Sequence, residues 1–369
     1  MQPNSQQALD LLIDAVRIPS PSGHETEVAV FLAERMTALG FDSHIDNAGN
    51  VIGEIGDQAG PQVVLLGHMD TISTLLPTTL TDSQIAGRGT ADATGSLCCF
   101  ICAAAAFHDA PVRFIVIGAV EEETTSRGAW ALRGTYDPAI VFIGEPSGSD
   151  GITIGYKGRI GGRISHHTSQ GHAAGPQDNA SVAAVRYWSK IVQYCEDRSQ
   201  DTRLFDRPEA TVTRMAGDAA SAEIDFDIRI PEGFDISAFL TFTSEQAVGG
   251  NLRLDEATKA VRTPRSCLPV RALSASIRAA HLKPKIKIKS GTCDMNVVRE
   301  FWSAPAVAYG PGDSRLDHTI DEHLSFAEYL TAIDVLRDAL SRVIDELCPQ
   351  SEITDATSKK GSHYGTLVR

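Results

Sequence analysis

No apolar run in this chain approaches the roughly 20 residues of a membrane span, so an integral membrane protein is not expected. The opening residues, Met1-Gln2-Pro3-Asn4-Ser5, lack a basic segment followed by an apolar stretch, so no secretory signal is expected either. Basic residues are in short supply. The 33 Lys and Arg against 47 Asp and Glu leave a net charge of −14, which argues against nonspecific binding to nucleic acid. The seven cysteines are an odd number and fit no disulfide framework, so a reducing cytoplasm is the expected compartment. What remains is an ordinary globular composition, 42% apolar, in 369 residues, too long for one typical domain and suited to two.

Against that plain background stands an ordered series of His and acidic positions, most of them placed just after an apolar stretch. Gly67-His68-Met69-Asp70 follows Pro61–Leu66, Glu121-Glu122-Glu123 follows Arg113–Val120, and Gly144-Glu145-Pro146 follows Ala139–Ile143. Apolar runs of this length read as buried parallel strands. In open α/β sheets chemistry gathers beyond the carboxyl ends of such strands. Asp92 and His318 complete the series.

Strand and helix signals alternate as far as Glu145. The expected fold is α/β with a mixed, mostly parallel sheet. The texture changes near Gly155-Tyr156-Lys157-Gly158, where a strand–helix–strand–strand–helix pattern begins and predicts a compact α+β unit. The α/β texture resumes near Pro264–Pro269. The expected organisation is therefore a discontinuous catalytic domain (1–157 and 267–348) interrupted by an inserted smaller α+β domain (158–266). Residues 349–369 are polar and aperiodic and read as a flexible tail. Cys98, Cys99 and Cys102 lie in an apolar, small-residue helix, where packing outweighs metal ligation. Gly87-Arg88-Gly89-Thr90-Ala91-Asp92 begins like a dinucleotide fingerprint but has Asp where the third Gly belongs.

Two divalent cations about 3.5–4 Å apart need one bridging carboxylate, plus an imidazole and a terminal carboxylate each. His68, His318, Asp92, Glu123 and Glu145 match that count. Mixed nitrogen and oxygen ligation suits zinc best, with cobalt or manganese as alternatives. Asp70 stands two residues from His68, placed to fix its tautomer. Glu122 is left over as a free carboxylate beside the site, the natural general base.

These segments resemble those of the co-catalytic zinc aminoacylase/carboxypeptidase family, which includes acetylornithine deacetylase, succinyl-diaminopimelate desuccinylase and glutamate carboxypeptidase. Gly67–Asp70, Gly87–Asp92, Glu121–Glu123 with Ser126–Ala129, Gly144–Ser147 and His318–Glu322 carry the likeness in order, from Ile18 to the final helix. The resemblance implies a zinc-peptidase-like, metal-binding catalytic domain with residues 158–266 as a lid or dimerisation domain, His68 and Glu145 on one metal, Glu123 and His318 on the other, Asp92 bridging and Glu122 as base. Thr94 departs from the family, which often has Lys there. Gln170–Pro176 resembles the segment whose His, here His172, stabilises the oxyanion in the partner subunit's site, which implies a homodimer.

Within the family, Ser290–Asn296 and Tyr309–His318 resemble most the branch that frees lysine or ornithine from a small amino-group carrier protein, where a glutamate γ-carboxyl holds the amino group. A free small-molecule deacylase, such as an acetylornithine or acetyl-lysine deacetylase, or a dipeptidase is the alternative. A non-catalytic binding protein on the same scaffold is the third reading. Gly291 and Thr292 are expected to line the substrate pocket. Arg229 either pairs with a substrate carboxylate or forms a structural salt bridge. Lys283, Lys285, Lys287 and Lys289 alternate with apolar residues and Pro284, which predicts four ammonium groups on one strand face. Such a row would either block edge pairing or dock a carrier.

Overall fold

The computed structural model describes residues 2–168, 179–200 and 202–349. In chain order its first strands are β1 (Asp42–Ile45), β2 (Val51–Gly56), β3 (Gln62–His68), β4 (Thr79–Leu80), β5 (Gln84–Ala86), β6 (Arg113–Ala119), β7 (Ile140–Gly144) and β8 (Gly151–Tyr156). They continue as β9 (Gly158–His167), β10 (Glu209–Gly217), β11 (Ser221–Ile230), β12 (Gly250–Leu254), β13 (Val261–Arg262), β14 (Lys285–Lys289), β15 (Ala306–Tyr309) and β16 (His323–Ser325). The helices are α1 (Ser5–Val16), α2 (Thr26–Ala38), α3 (Thr94–Ala104), α4 (Arg127–Ala131), α5 (Ala180–Asp197), α6 (Ile236–Gln246), α7 (Leu268–Ala279), α8 (Asp294–Val298) and α9 (Phe326–Leu347). No helix among the described residues is long and apolar enough to cross a membrane.

The large sheet runs β1-β2-β6-β3-β7-β15-β8-β13, with β14 paired to β8. Its centre is parallel: β3 lies between β6 and β7, and β7 pairs with β15. Toward the flanks the pairings are antiparallel, except that β14 runs parallel to β8. The α/β fold class with a mixed, mostly parallel sheet is thus observed. The period of two explains why both faces are apolar. Val63, Leu65, Phe114 and Val116 pack with α1, α2, α3, α7 and α9, while Val64, Leu66, Ile115 and Ile117 pack with α4 and α8. Helix α3 is buried along its whole length, its three cysteines included. Burial pushes the Cys102 thiol up to about 12, so it packs as a neutral thiol beside the Tyr329 hydroxyl.

The second sheet, β10-β11-β9-β12, is antiparallel throughout and comes from residues 158–254. Ile160, Ile164, Ile224, Phe226 and Ile228 face α5 and α6, packing on Tyr187, Ile191 and Phe239. The other face carries Arg159, Arg163, Asp225, Asp227 and Arg229, linked as ion pairs. The chain passes between the sheets near Lys157 and again near Lys259. One side chain, Asn296, donates to both backbone carbonyls, at 3.1 and 2.8 Å. The buried Lys157 ammonium donates to Glu209 at 2.6 Å and to the Arg207 carbonyl at 2.9 Å.

The four-lysine row forms in part: Lys283 precedes β14, while Ile286 and Ile288 pack on the core and leave Lys285, Lys287 and Lys289 alternating with them on the other face. The pairing of β14 with β8 shifts register between Lys287 and Lys289, with the extra residue on β8, so β14 keeps its own alternation. Lys285 pairs with Asp150 at 2.6 Å and Lys287 donates to the Ser147 carbonyl at 2.6 Å. Two lysines of the row are therefore occupied by the chain itself. The tail expected over 349–369 lies outside the described residues from 350 onward.

Candidate active site

Three turns at the carboxyl edge of the large sheet bring the predicted residues into one place. His68 ends β3 and is buried. Its Nδ1 lies 2.9 Å from the Asp70 backbone carbonyl and 3.5 Å from the Asp70 carboxylate. Its Nε2 faces Asp92, 3.3 Å from Oδ1. The other Asp92 oxygen lies 3.2 Å from His318 Nε2, so Asp92 sits between the two imidazoles. Glu123 reaches the same His318 nitrogen at 2.9 Å. Asp92, Glu123 and His318 each offer a donor atom, and the three lie within 4.8 Å of one another. Glu145, just past β7, lines the same cavity and stands 3.8 Å from the Lys289 ammonium.

Asp70 does more than its sequence position predicts. Its fully buried carboxylate accepts from the backbone N–H groups of Glu122 (3.0 Å) and Glu123 (3.1 Å) and from the Ser22 hydroxyl (2.7 Å). Burial opposes its ionisation, but these donors and His68 outweigh that and hold its pKa low. The turn after β6 is thus hung from the turn after β3. Glu121 at its start adopts a left-handed backbone, and its N–H donates to Glu25 at 3.1 Å. A second support was not foreseen either. Glu322 accepts from the backbone N–H of Ala91 (3.1 Å) and Asp92 (3.2 Å) and pairs with Arg88 at 2.6 Å, all buried. The small sheet β16-β5-β4 delivers it, because Gly87 N–H bonds to the Glu322 carbonyl. The hint in the sequence was the acid four residues after His318.

The cavity has a volume of about 720 Å³, within the range of small-molecule sites. Its acidic wall is Asp92, Glu122, Glu123, Glu145 and Asp317, and its opposite wall includes Arg159 and Arg229 from the second sheet. Gly291 and Thr292 line it as expected. Arg229 pairs with Asp227 at 2.8 Å and donates to Thr292 Oγ1 at 3.3 Å. His172 lies outside the described residues.

The acids are crowded. Burial pushes Glu122 well above the usual carboxylate range, with His68 opposing and Glu145, Asp294 and Glu123 adding. Burial likewise takes Glu145 and Asp294 up to about 7 and Asp317 up to about 8. Asp92 goes the other way: burial resists, but hydrogen bonds from His318 and His68 keep it ionised. Those bonds to Asp92 and Glu123 in turn raise His318 to about 10. Mutually repelling carboxylates beside two imidazoles fit a divalent cation, which removes the repulsion and takes mixed N/O donors.

A family model described as peptidase family M20/M25/M40 matches residues 64–342. The chain is 38% identical over 363 residues to a LysW-lysine hydrolase of Deinococcus radiodurans, covering 93% of this chain and 98% of that one. It is 34% identical to a protein of Thermococcus kodakarensis named as a LysW-lysine/LysW-ornithine hydrolase, covering 93% of each. Among solved structures, an M20 family metallo-carboxypeptidase of Sulfolobus solfataricus superposes with a TM-score of 0.77 at 17% identity, covering 92% of this chain and 99% of that one. A tripeptidase of Staphylococcus aureus gives 0.76 at 18% identity, with 94% and 100% covered. The order of the matched segments and the length of the match agree: this chain belongs to peptidase family M20/M25/M40 and is a metal-dependent amide hydrolase.

Proposed function

We propose that this enzyme releases lysine or ornithine from an amino-group carrier protein by hydrolysing the amide to a glutamate γ-carboxyl. The observation that carries the reading is the 38% identity, over 93% of the chain, to a LysW-lysine hydrolase. The cavity agrees with it in size and in having an acidic edge for metal and a basic edge for an anionic substrate.

In this reading His68 and Glu145 would hold one divalent cation and Glu123 and His318 a second, with Asp92 serving both; zinc would suit the donors best, then cobalt or manganese. When bound, such cations polarise the amide carbonyl and acidify water. The rest falls to the chain. Glu122 takes the proton of the attacking water and returns it to the nitrogen of the leaving amine. Asp70 keeps Glu122 and Glu123 in place through their backbone. Thr292, Gly291 and Arg229 bound the substrate space. We further infer a homodimer in which His172 of one copy stabilises the oxyanion in the other, with residues 158–266 as the lid and dimerisation unit and the enzyme acting in the cytoplasm. That part rests on the resemblance of residues 170–176, and sedimentation of the wild type tests it.

The decisive experiment compares carrier conjugates of lysine and ornithine with N-acetyl-lysine and N-acetylornithine, using zinc- or cobalt-loaded enzyme. A kcat/KM higher for a conjugate is the expected result. Preference for an acetylated amino acid assigns the chain to the deacylases instead. Inactivity on every amide at full metal loading makes it a binding protein.

A further inference from the structure

The last lysine of β14 points to a substrate contact. Lys285 and Lys287 have partners at 2.6 Å, whereas the Lys289 ammonium has only Glu145 at 3.8 Å and the Tyr156 ring at 5.8 Å. It makes no hydrogen bond to any described residue, and its side chain is only 16% exposed. An ammonium so withdrawn from water lacks the acceptors its three donors need. The other guanidinium and ammonium groups on the cavity already have partners: Arg159 and Arg229 share Asp227, Arg159 also meets Asp255 at 3.6 Å, and Arg229 donates to Thr292. Lys289 is therefore the cation with capacity to spare, and it borders the same space as Glu122 and Glu145.

We propose that Lys289 is a substrate-binding residue that receives a carboxylate flanking the scissile amide. The inference rests on the amide-hydrolase reading above. In that reading carboxylates stand on both sides of the bond, on the released amino acid and on the glutamate that held it. Both have the same chemistry toward an ammonium, so the test separates them.

Calorimetry on metal-loaded wild type, Lys289→Met and Lys289→Arg provides the test, with metal content measured in each. The ligands are lysine against lysinamide for one side, and glutamate against isoglutamine, its α-carboxamide, for the other. Lys289→Met is expected to weaken one carboxylate ligand about 10- to 100-fold, the effect of a lost charge-assisted hydrogen bond, and to leave its amide counterpart unchanged. The pair that responds identifies the side, and Lys289→Arg recovers most of the affinity. Equal loss for acid and amide, no loss for either, absence of binding by the wild type, or a fall in metal content of Lys289→Met each overturns the proposal. Wild type that distinguishes acid from amide yet cleaves no conjugate refutes the hydrolase reading and leaves the Lys289 contact standing.

Discussion

The two walls of the cavity are built on opposite plans. On the large-sheet side three of the acids are anchored through backbone: Asp70 grips the N–H groups of Glu122 and Glu123, and Glu322 grips those of Ala91 and Asp92. On the second-sheet side the cations Arg159 and Arg229 sit on strands and are held by side-chain pairing to Asp227, about a third or more exposed. Backbone anchoring in a buried place sets geometry before any ligand arrives, which is what a metal site and a base require. Side-chain pairing at a half-open edge leaves room for adjustment to a substrate.

If that contrast is right, damage to the acidic wall removes chemistry and damage to the basic wall removes affinity. Asp92→Ala has the largest expected effect: activity falls below detection and metal content drops, while circular dichroism stays native. Glu122→Gln comes next, with kcat down roughly 10²- to 10⁴-fold as for a lost general base, metal content unchanged and KM little altered. Arg229→Ala is expected to raise KM about tenfold with kcat nearly kept; a kcat loss matching that of Glu122→Gln would erase the distinction between the walls. Glu322→Gln leaves the buried Arg88 without its counter-charge, and urea unfolding should show a loss of about 3 kcal/mol, the lower range for a broken buried pair.

The smallest expected effect is on pH dependence. In metal-free protein Glu145 and Asp294, at about 7, and Asp317, at about 8, bind protons that their unfolded forms release near 4. The folded state thus holds more protons between roughly pH 4 and 8, so these groups make stability fall as pH rises through that window. Thermal melts of chelated protein should show the decline, and metal addition should flatten it. A chelated protein whose stability rises from pH 5 to 8 would contradict the crowding of the acidic wall.

How much of this was legible in the sequence follows the range of the interactions. Strands β3, β6, β7 and β15 are continuous apolar runs, so they and the polar residues at their ends stand out. Strands β8 and β12 went unnoticed; Gly-Ile-Thr-Ile-Gly-Tyr and Gly-Asn-Leu-Arg-Leu are short and interrupted by Gly or charge. The supporting pairs were invisible for a different reason. Glu25 meets Glu121 and Arg88 meets Glu322 across long separations, and such pairings leave no local periodicity to read. The lysine row is one residue too long in the sequence because alternation does not mark where a strand begins, and β14 begins after Lys283.

The grip of Glu322 on the Asp92 turn also has a bearing on biosynthesis of the enzyme. Asp92 leaves the ribosome early, but the carboxylate that holds its backbone emerges 230 residues later. A nascent chain that has made β3, β6 and β7 still lacks the clasp for its central acid and, with His318, one imidazole. Such a chain cannot yet cut amides, so activity appears only late in translation.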